Sequence, residues 1–504
     1  MDPVKLLVTS KNNLQFKYGK KFPQVEKLLK QVVAVDKKRK RITKVVFIDD
    51  PKSAKAAGIK VVKSISPNEC KRAIDDLYKK HIPVYTVIIG AQDIFPFVEI
   101  LNPADDEDLT VPSDLPYACD TPYSRDIAAF TGPTRVVGRI PDIPGQQDSI
   151  SYLKRLINNS MQHKAIPVDE YRKYFAVSAQ VWKVSTRLSL QSIFSDTKNL
   201  LLSPVKSEKD AAKYSSAQFR PLTHFYNCHG VLSDPCFYGQ RGNNYPEALR
   251  STSLEKNISP GTIVAAECCY GAELFDPSEM QPRAMSVAST YLGNDAIAYL
   301  GSSTIAYGPA DSQGLADLMT QYFIKSLLNG ATSGRALLEA RQRFLTVCGP
   351  QLDPYEQKTF AQFYLLGDPS VQPAFCEEIE GTVKAMSGNT VENNRINLFN
   401  KGVSLKRTIA PSKKQKRITK SSDQKQLNDI LKTTNFEKAE KEIVYEVKPM
   451  LKGITGLQKK MAGETARFRT FIKPDSRDGL YHHQVLVVKE DKEQILGWRV
   501  YESR

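Results

Sequence analysis

Short apolar runs alternate with amphipathic stretches along the first hundred residues. Segments 6–9, 44–48 and 83–90 read as buried strands, while 22–35 and 66–79 carry apolar positions at helical spacing. Such alternation predicts α/β architecture with mainly parallel sheets. The pattern resumes with a linking helix at 148–159, strands at 174–181 and 199–203, then two strands within 222–230 and 262–272. A strand and loop at 296–306, a helix at 314–328 and a closing segment at 363–369 complete it. Two tandem α/β subdomains are expected, over 1–145 and 146–375. Beyond them the chain reads as a basic polar linker (376–435) and a small C-terminal β or α+β domain (436–504) with strands near 443–447, 466–472, 482–489 and 495–501.

Two of these strands stop at reactive side chains. One ends in Asn227-Cys228-His229-Gly230 and the other in Glu267-Cys268-Cys269-Tyr270-Gly271. About forty residues separate them, room for a helix at 245–256 and a return as a parallel neighbour. A histidine beside a cysteine favours the thiolate or protonates a leaving amine. Gly230 lets backbone approach a substrate, so its N–H is a candidate oxyanion donor. Cys268 and Cys269 point to opposite faces of an extended strand, and only one can meet His229.

Histidine-glycine on one strand end and cysteine on the next resemble the caspase-like (clan CD) cysteine peptidases. Further motifs narrow this to the gingipain type: the strand ending at Gly90 followed by Phe95-Pro-Phe97, Ser113-Asp114-x-x-Tyr117, Val137-Gly-Arg-Ile-Pro141, and Leu366-Gly-Asp-Pro369. The resemblance spans roughly residues 5 to 372. It implies a non-catalytic N-terminal subdomain, a catalytic second one, and a cysteine endopeptidase cleaving protein substrates through a His/Cys dyad and a thioester acyl-enzyme. In the gingipain, legumain and separase patterns the nucleophile begins Cys-x-x-Gly, the spacing of Cys268 to Gly271. Cys269 has the shorter caspase spacing, and Glu267 stands where a small residue is usual. The dyad implied is His229 with Cys268, and Cys269 is the alternative. The family's specificity pocket would fall on 180–186 and 302–309, which contain no carboxylate; Asp276 and Asp311 lie near in sequence.

Composition changes this picture little. The formal charge of +16 lies largely after Gln372 and in Lys37–Arg41. It raises nucleic-acid binding as another class of function, with a solvated basic surface as the plainer reading. Eight scattered cysteines do not suggest a disulfide framework. Together with the absence of a secretory-type start, they lead to the expectation of a cytoplasmic protein. There is no apolar run near eighteen residues, hence no expected membrane span. A zinc site from Cys228, His229, Cys236, Cys268 and Cys269 lacks a C-x-x-C pair, and no cofactor is expected. A catalytically idle scaffold is the remaining alternative. The C-terminal domain, tied on by a polar linker, is expected to recruit or restrain through a partner while leaving the cleft undisturbed.

Overall fold

In the computed structural model, residues 3–146, 149–205, 212–349, 351–376, 407–411, 421–451, 466–474, 476–477, 480–491 and 494–504 are described. Ten strands form one sheet, in the spatial order Ile42–Phe47, Val4–Thr9, Tyr85–Ile89, Val137–Ile140, Phe363–Leu366, Ala298–Ser302, Ile263–Ala266, Thr223–Asn227, Tyr174–Ala179, Leu200–Ser203. All neighbours are parallel except Phe363–Leu366 against Ala298–Ser302. The two series of strands read from the sequence join edge to edge, where Leu366 pairs with Arg139.

Both faces of this sheet are buried, which is why its strands are nearly continuously apolar. One face packs under Phe22–Lys38, Ile150–Gln162 and Val287–Gly293 through Leu28, Leu153 and Tyr291. The other packs under Pro67–His81, Leu315–Leu328 and Ser333–Cys348 through Ile74, Phe323 and Phe344. Strand alternation divides the cysteine strand between them. Val264, Ala266 and Cys268 go to the first face, and Ile263, Ala265 and Cys269 to the second.

The motifs of the N-terminal half build a buried polar knot. Arg139 makes a two-pronged pair with Asp114 at 2.9 and 2.6 Å and also donates to the carbonyls of Gly90 and Phe95. A fully buried guanidinium needs this full set of acceptors. Tyr117 closes the knot by donating to Pro96 O at 2.7 Å. The Gly-Asp-Pro closure contributes Asp368, which accepts from buried Lys5 at 2.6 Å.

Two expectations need correction. Residues 245–256 are not a helix: Glu247–Arg250 is a strand paired with Cys236–Tyr238, followed by the single 3-10 turn Ser251–Leu254. Backbone pairing to the segment after His229 outweighs helix propensity there. The stretch 376–435 is not linker throughout. Arg407–Pro411 pairs with Lys441–Leu451, and Ser421–Thr433 is a helix that buries Leu427 and Ile430 against Phe471 and Leu486. The basic run 413–417 lies outside the described residues. Lys37–Arg41 ends a helix, and two of its members are used internally: Arg39 donates to Met161 O, and Arg41 to Ser370.

The C-terminal strands occur where the pattern placed them, as Lys441–Leu451, Ala466–Lys473, Gln484–Asp491 and Gln494–Ser503 in an antiparallel sheet. That sheet is not separate from residues 146–375. Its last strand pairs with Tyr307–Gly308, opposing Ser503 to Tyr307 and Glu502 to Gly308.

Candidate active site

His229 and the two cysteines lie beyond the carboxyl ends of the central strands Thr223–Asn227 and Ile263–Ala266, the usual position of a site in parallel α/β sheets. The two strands pair with Phe225 opposite Ala265 and Tyr226 opposite Ala266. Forty residues therefore separate partners, and carrying that offset onward matches His229 with Cys269 and Cys228 with Cys268. The contacts agree. Cys268 packs on the same face as Cys228, Tyr226 and Tyr299, whereas the Cys269 thiol accepts a hydrogen bond from Ala306 N–H at 3.2 Å.

His229 is fully buried and wedged among aromatic rings, with Trp182 at 4.4 Å and Tyr245 at 5.3 Å between centroids. Its Nε2 bonds Gln240 Oε1 at 2.8 Å, which requires the proton on Nε2 in the neutral ring. Nδ1 has no hydrogen-bond partner among the described residues and is the nitrogen able to exchange a proton. Burial pushes the imidazole down to about 3, against the Gln240 bond and with help from His482 and Arg504. Burial likewise pushes the Cys269 thiol up to about 12. In this arrangement both groups are neutral.

Gly230 is where backbone must come close. A Cβ there would lie 1.8 Å from the carbonyl oxygen of Cys269, so only glycine fits between the two strand ends.

The chain itself fills the cleft. Arg504 N–H donates to Ala306 O at 2.8 Å, and Arg504 O accepts from Cys269 N–H at 3.0 Å. Its fully buried side chain enters a pocket between Trp182 and the Leu315–Leu328 helix. There Nη2 reaches Asp317 Oδ1 at 3.1 Å and Pro309 O at 2.9 Å, with the guanidinium 4.6 Å from the Trp182 ring centre. Glu267 lies on the floor, accepting from Thr320 Oγ1 at 2.7 Å. Burial, followed by the neighbouring Asp317 charge, pushes the Glu267 carboxyl well above its usual range. Asp317 is also raised by burial, while the Arg504 charge pulls it down. Two adjacent buried carboxyls facing one guanidinium fit a single shared charge, with Glu267 protonated and Asp317 ionised.

Of the expected pocket segments, Trp182, Ser185 and Pro309 do line this cavity, but Asp276 and Asp311 are not the groups that meet the guanidinium. Asp317 does so, with Glu267 behind it. Nothing in the sequence singles out Asp317, an acid in the first turn of a helix, and Glu267 registers there only as a departure from the usual small residue. Beside Tyr270 lies a groove of about 430 Å³, lined in part by Leu232, Tyr270, Glu273 and Thr304. Among the described residues, no cluster of three metal-ligating side chains is found and no helix is long and apolar enough to cross a membrane.

The sequence profile of peptidase family C25 matches residues 7–374. The solved structure of the Arg-specific cysteine proteinase gingipain R (RgpB) is 10% identical, with a TM-score of 0.49 over 99% of this chain and 97% of that one. The complex of Porphyromonas gingivalis RgpB pro- and mature domains is also 10% identical, with a TM-score of 0.46 over 98% and 99%. No curated protein sequence matches the chain.

Proposed function

Since the chain belongs to peptidase family C25 and is a cysteine-type peptidase, we propose that it is an endopeptidase that cleaves after arginine, with Cys269 as nucleophile and His229 as its acid–base partner. The observation that carries this is the seat of Arg504. A residue held there by Ala306 O and the Cys269 N–H presents its carbonyl group to the Cys269 side of the cleft.

In the reaction, Cys269 Sγ attacks the carbonyl carbon of a bound arginine. The developing oxyanion is held by the Cys269 N–H, with the Gly230 N–H as a second candidate donor. His229 takes the thiol proton at Nδ1 and returns it to the leaving amine as the C–N bond breaks, leaving an acyl thioester. Water, deprotonated by the same nitrogen, then releases the acid and restores the thiol. Gln240 holds the ring in the tautomer that leaves Nδ1 available. Asp317 supplies the charge that reads the guanidinium, and Trp182 the face on which it stacks.

Cys268, favoured by its spacing to Gly271, keeps the weaker claim: its contacts lie on the opposite face, beside Cys228. A test is hydrolysis of a matched set of peptide amides differing only at the residue before the cut. Selective turnover of the arginine member, removed by alkylation of one cysteine mapped to 269, is expected. Equal turnover of a neutral and an arginine member would end the specificity claim, and mapping to 268 would transfer the nucleophile.

A further inference from the structure

The four residues Tyr501-Glu-Ser-Arg504 lie along the cleft as an extended strand. Each has a partner there. Arg504 fills the charged pocket, and Ser503 is opposite Tyr307. Glu502 Oε2 accepts from Trp182 Nε1 at 2.9 Å. The Tyr501 hydroxyl donates to Asp353 Oδ2 at 3.0 Å, and its ring lies 6.2 Å from that of Tyr355. Arg504, Ser503 and Tyr501 are essentially buried.

A strand serving only as a staple between two sheets would need the edge pairing and the apolar contacts. It would have no use for the main-chain N–H of Cys269, nor for a buried guanidinium brought to the buried carboxylate of Asp317. Ordering a charged side chain and desolvating it is costly unless a built pocket receives it. Here the pocket exists, and its other natural occupant is substrate. Because the same strand is held on its far side by Gln484–Asp491, the segment is already extended and positioned. It thus competes at high effective concentration and loses little freedom on binding.

We propose that Tyr501–Arg504 is an intramolecular ligand of the peptidase cleft, which occupies the subsites on the acyl side of the cut and holds the enzyme latent. The proposal rests on the function proposed above for the interpretation of the cleft, though the docking itself does not. Its corollary is a ligand class: extended peptides with arginine at the cut, an acid two positions before it and a tyrosine three before it. Activation requires displacing the strand by such a segment.

The test uses the full chain beside Arg504→Ala and Arg504→Met, the second keeping most of the apolar stem, with thermal melting to confirm folding. The first readout is the rate of Cys269 alkylation by iodoacetamide, mapped by mass spectrometry, which needs no catalysis. Both variants are expected to react about 10²- to 10³-fold faster than the parent, the scale for losing one member of a buried charge pair. Adding the free peptide acetyl-Tyr-Glu-Ser-Arg should slow them again, and acetyl-Tyr-Lys-Ser-Arg should do so less. The second readout is turnover of an arginine peptide amide, where KM should fall with little change in kcat. Parent-like alkylation in folded variants, or no protection by the first peptide, would overturn the proposal. Faster alkylation and peptide protection without any cleavage would uphold the docking and overturn the proposed function instead.

Discussion

The main-chain N–H of Cys269 donates to the carbonyl oxygen of Arg504 at 3.0 Å, and the Cys269 thiol is on the same face of the sheet as the core that holds Ala306 and Leu315. Cys268 faces the opposite core. Replacing Cys269 with alanine should therefore abolish peptide cleavage, a loss of about 10⁴-fold or more when a nucleophile is removed. Cys268→Ala should retain it, with a modest loss of stability from the small cavity. Steady-state rates and denaturant midpoints of the two variants check this directly.

His229→Ala is expected to lower kcat by about 10²- to 10⁴-fold, the usual contribution of a positioned acid–base group. Single-turnover kinetics would locate the loss in both formation and breakdown of the acyl-enzyme. Unchanged kcat in a folded variant would take His229 out of the mechanism.

The two pocket carboxyls should behave differently, because one is ionised and the other held protonated. In the Arg504→Ala background, where the tail does not compete, Asp317→Asn should reduce kcat/KM for arginine peptides by about 10²- to 10³-fold, as when one partner of a buried charge pair is truncated. Glu267→Gln, which copies the shape of a protonated carboxyl, should cost about tenfold or less. Matched arginine and citrulline peptides provide the comparison: only Asp317→Asn should erase the preference between them.

Gly230→Ala forces a Cβ to within 1.8 Å of the Cys269 carbonyl oxygen unless backbone moves. The expected result is a folded protein with a lowered melting temperature and turnover reduced far beyond that loss, since the shift falls on the two strand ends that carry the proposed dyad. Crystallographic or exchange measurements confined to 228–230 and 268–271 would register the displacement.

Burial holds His229 near 3 in the docked state, below its ordinary value of about 6.5. The sign follows: the unfolded chain binds this proton more readily, so the stability associated with neutral His229 is full above about pH 6.5 and declines as pH falls toward 3. Denaturant unfolding at several pH values should show a steeper acid-side loss for the parent than for His229→Gln. Equal slopes would show that the imbalance resides elsewhere.

Much of the sheet was written in local pattern. Runs such as Tyr174–Ala179 and Tyr85–Ile89 are apolar on both faces because both faces are covered, and the helices between them carry apolar stripes. The segment at 245–256 misled because its residues suit a helix while its neighbours in space offered strand pairing. The cysteine pair shows another limit. Spacing to Gly271 describes the turn after the strand, whereas the side from which a thiol emerges is set by register. Register comes from the packing of facing strands, and only with Phe225 set opposite Ala265 does the forty-residue offset join His229 to Cys269. Asp317 was hidden for a similar reason: an acid in the first turn of a helix reads as a cap until the pocket against it is seen. The tail was misjudged because a polar stretch says nothing about where the chain beyond it docks.

The seam strand Phe363–Leu366 has a consequence for the order in which the protein is made. It supplies the pairing between Val137–Ile140 and Ala298–Ser302, so a growing chain on the ribosome holds an unpaired edge at residue 140 until more than two hundred further residues have emerged. Only then can the halves unite, and the strand ending at Arg504 arrives later still. Synthesis thus passes through an interval in which the cleft is whole and its own ligand has not yet been translated. Nascent chains arrested near residue 430 and probed for Cys269 alkylation should react as freely as released Arg504→Ala protein; protection at that length would place the cover elsewhere than in the tail.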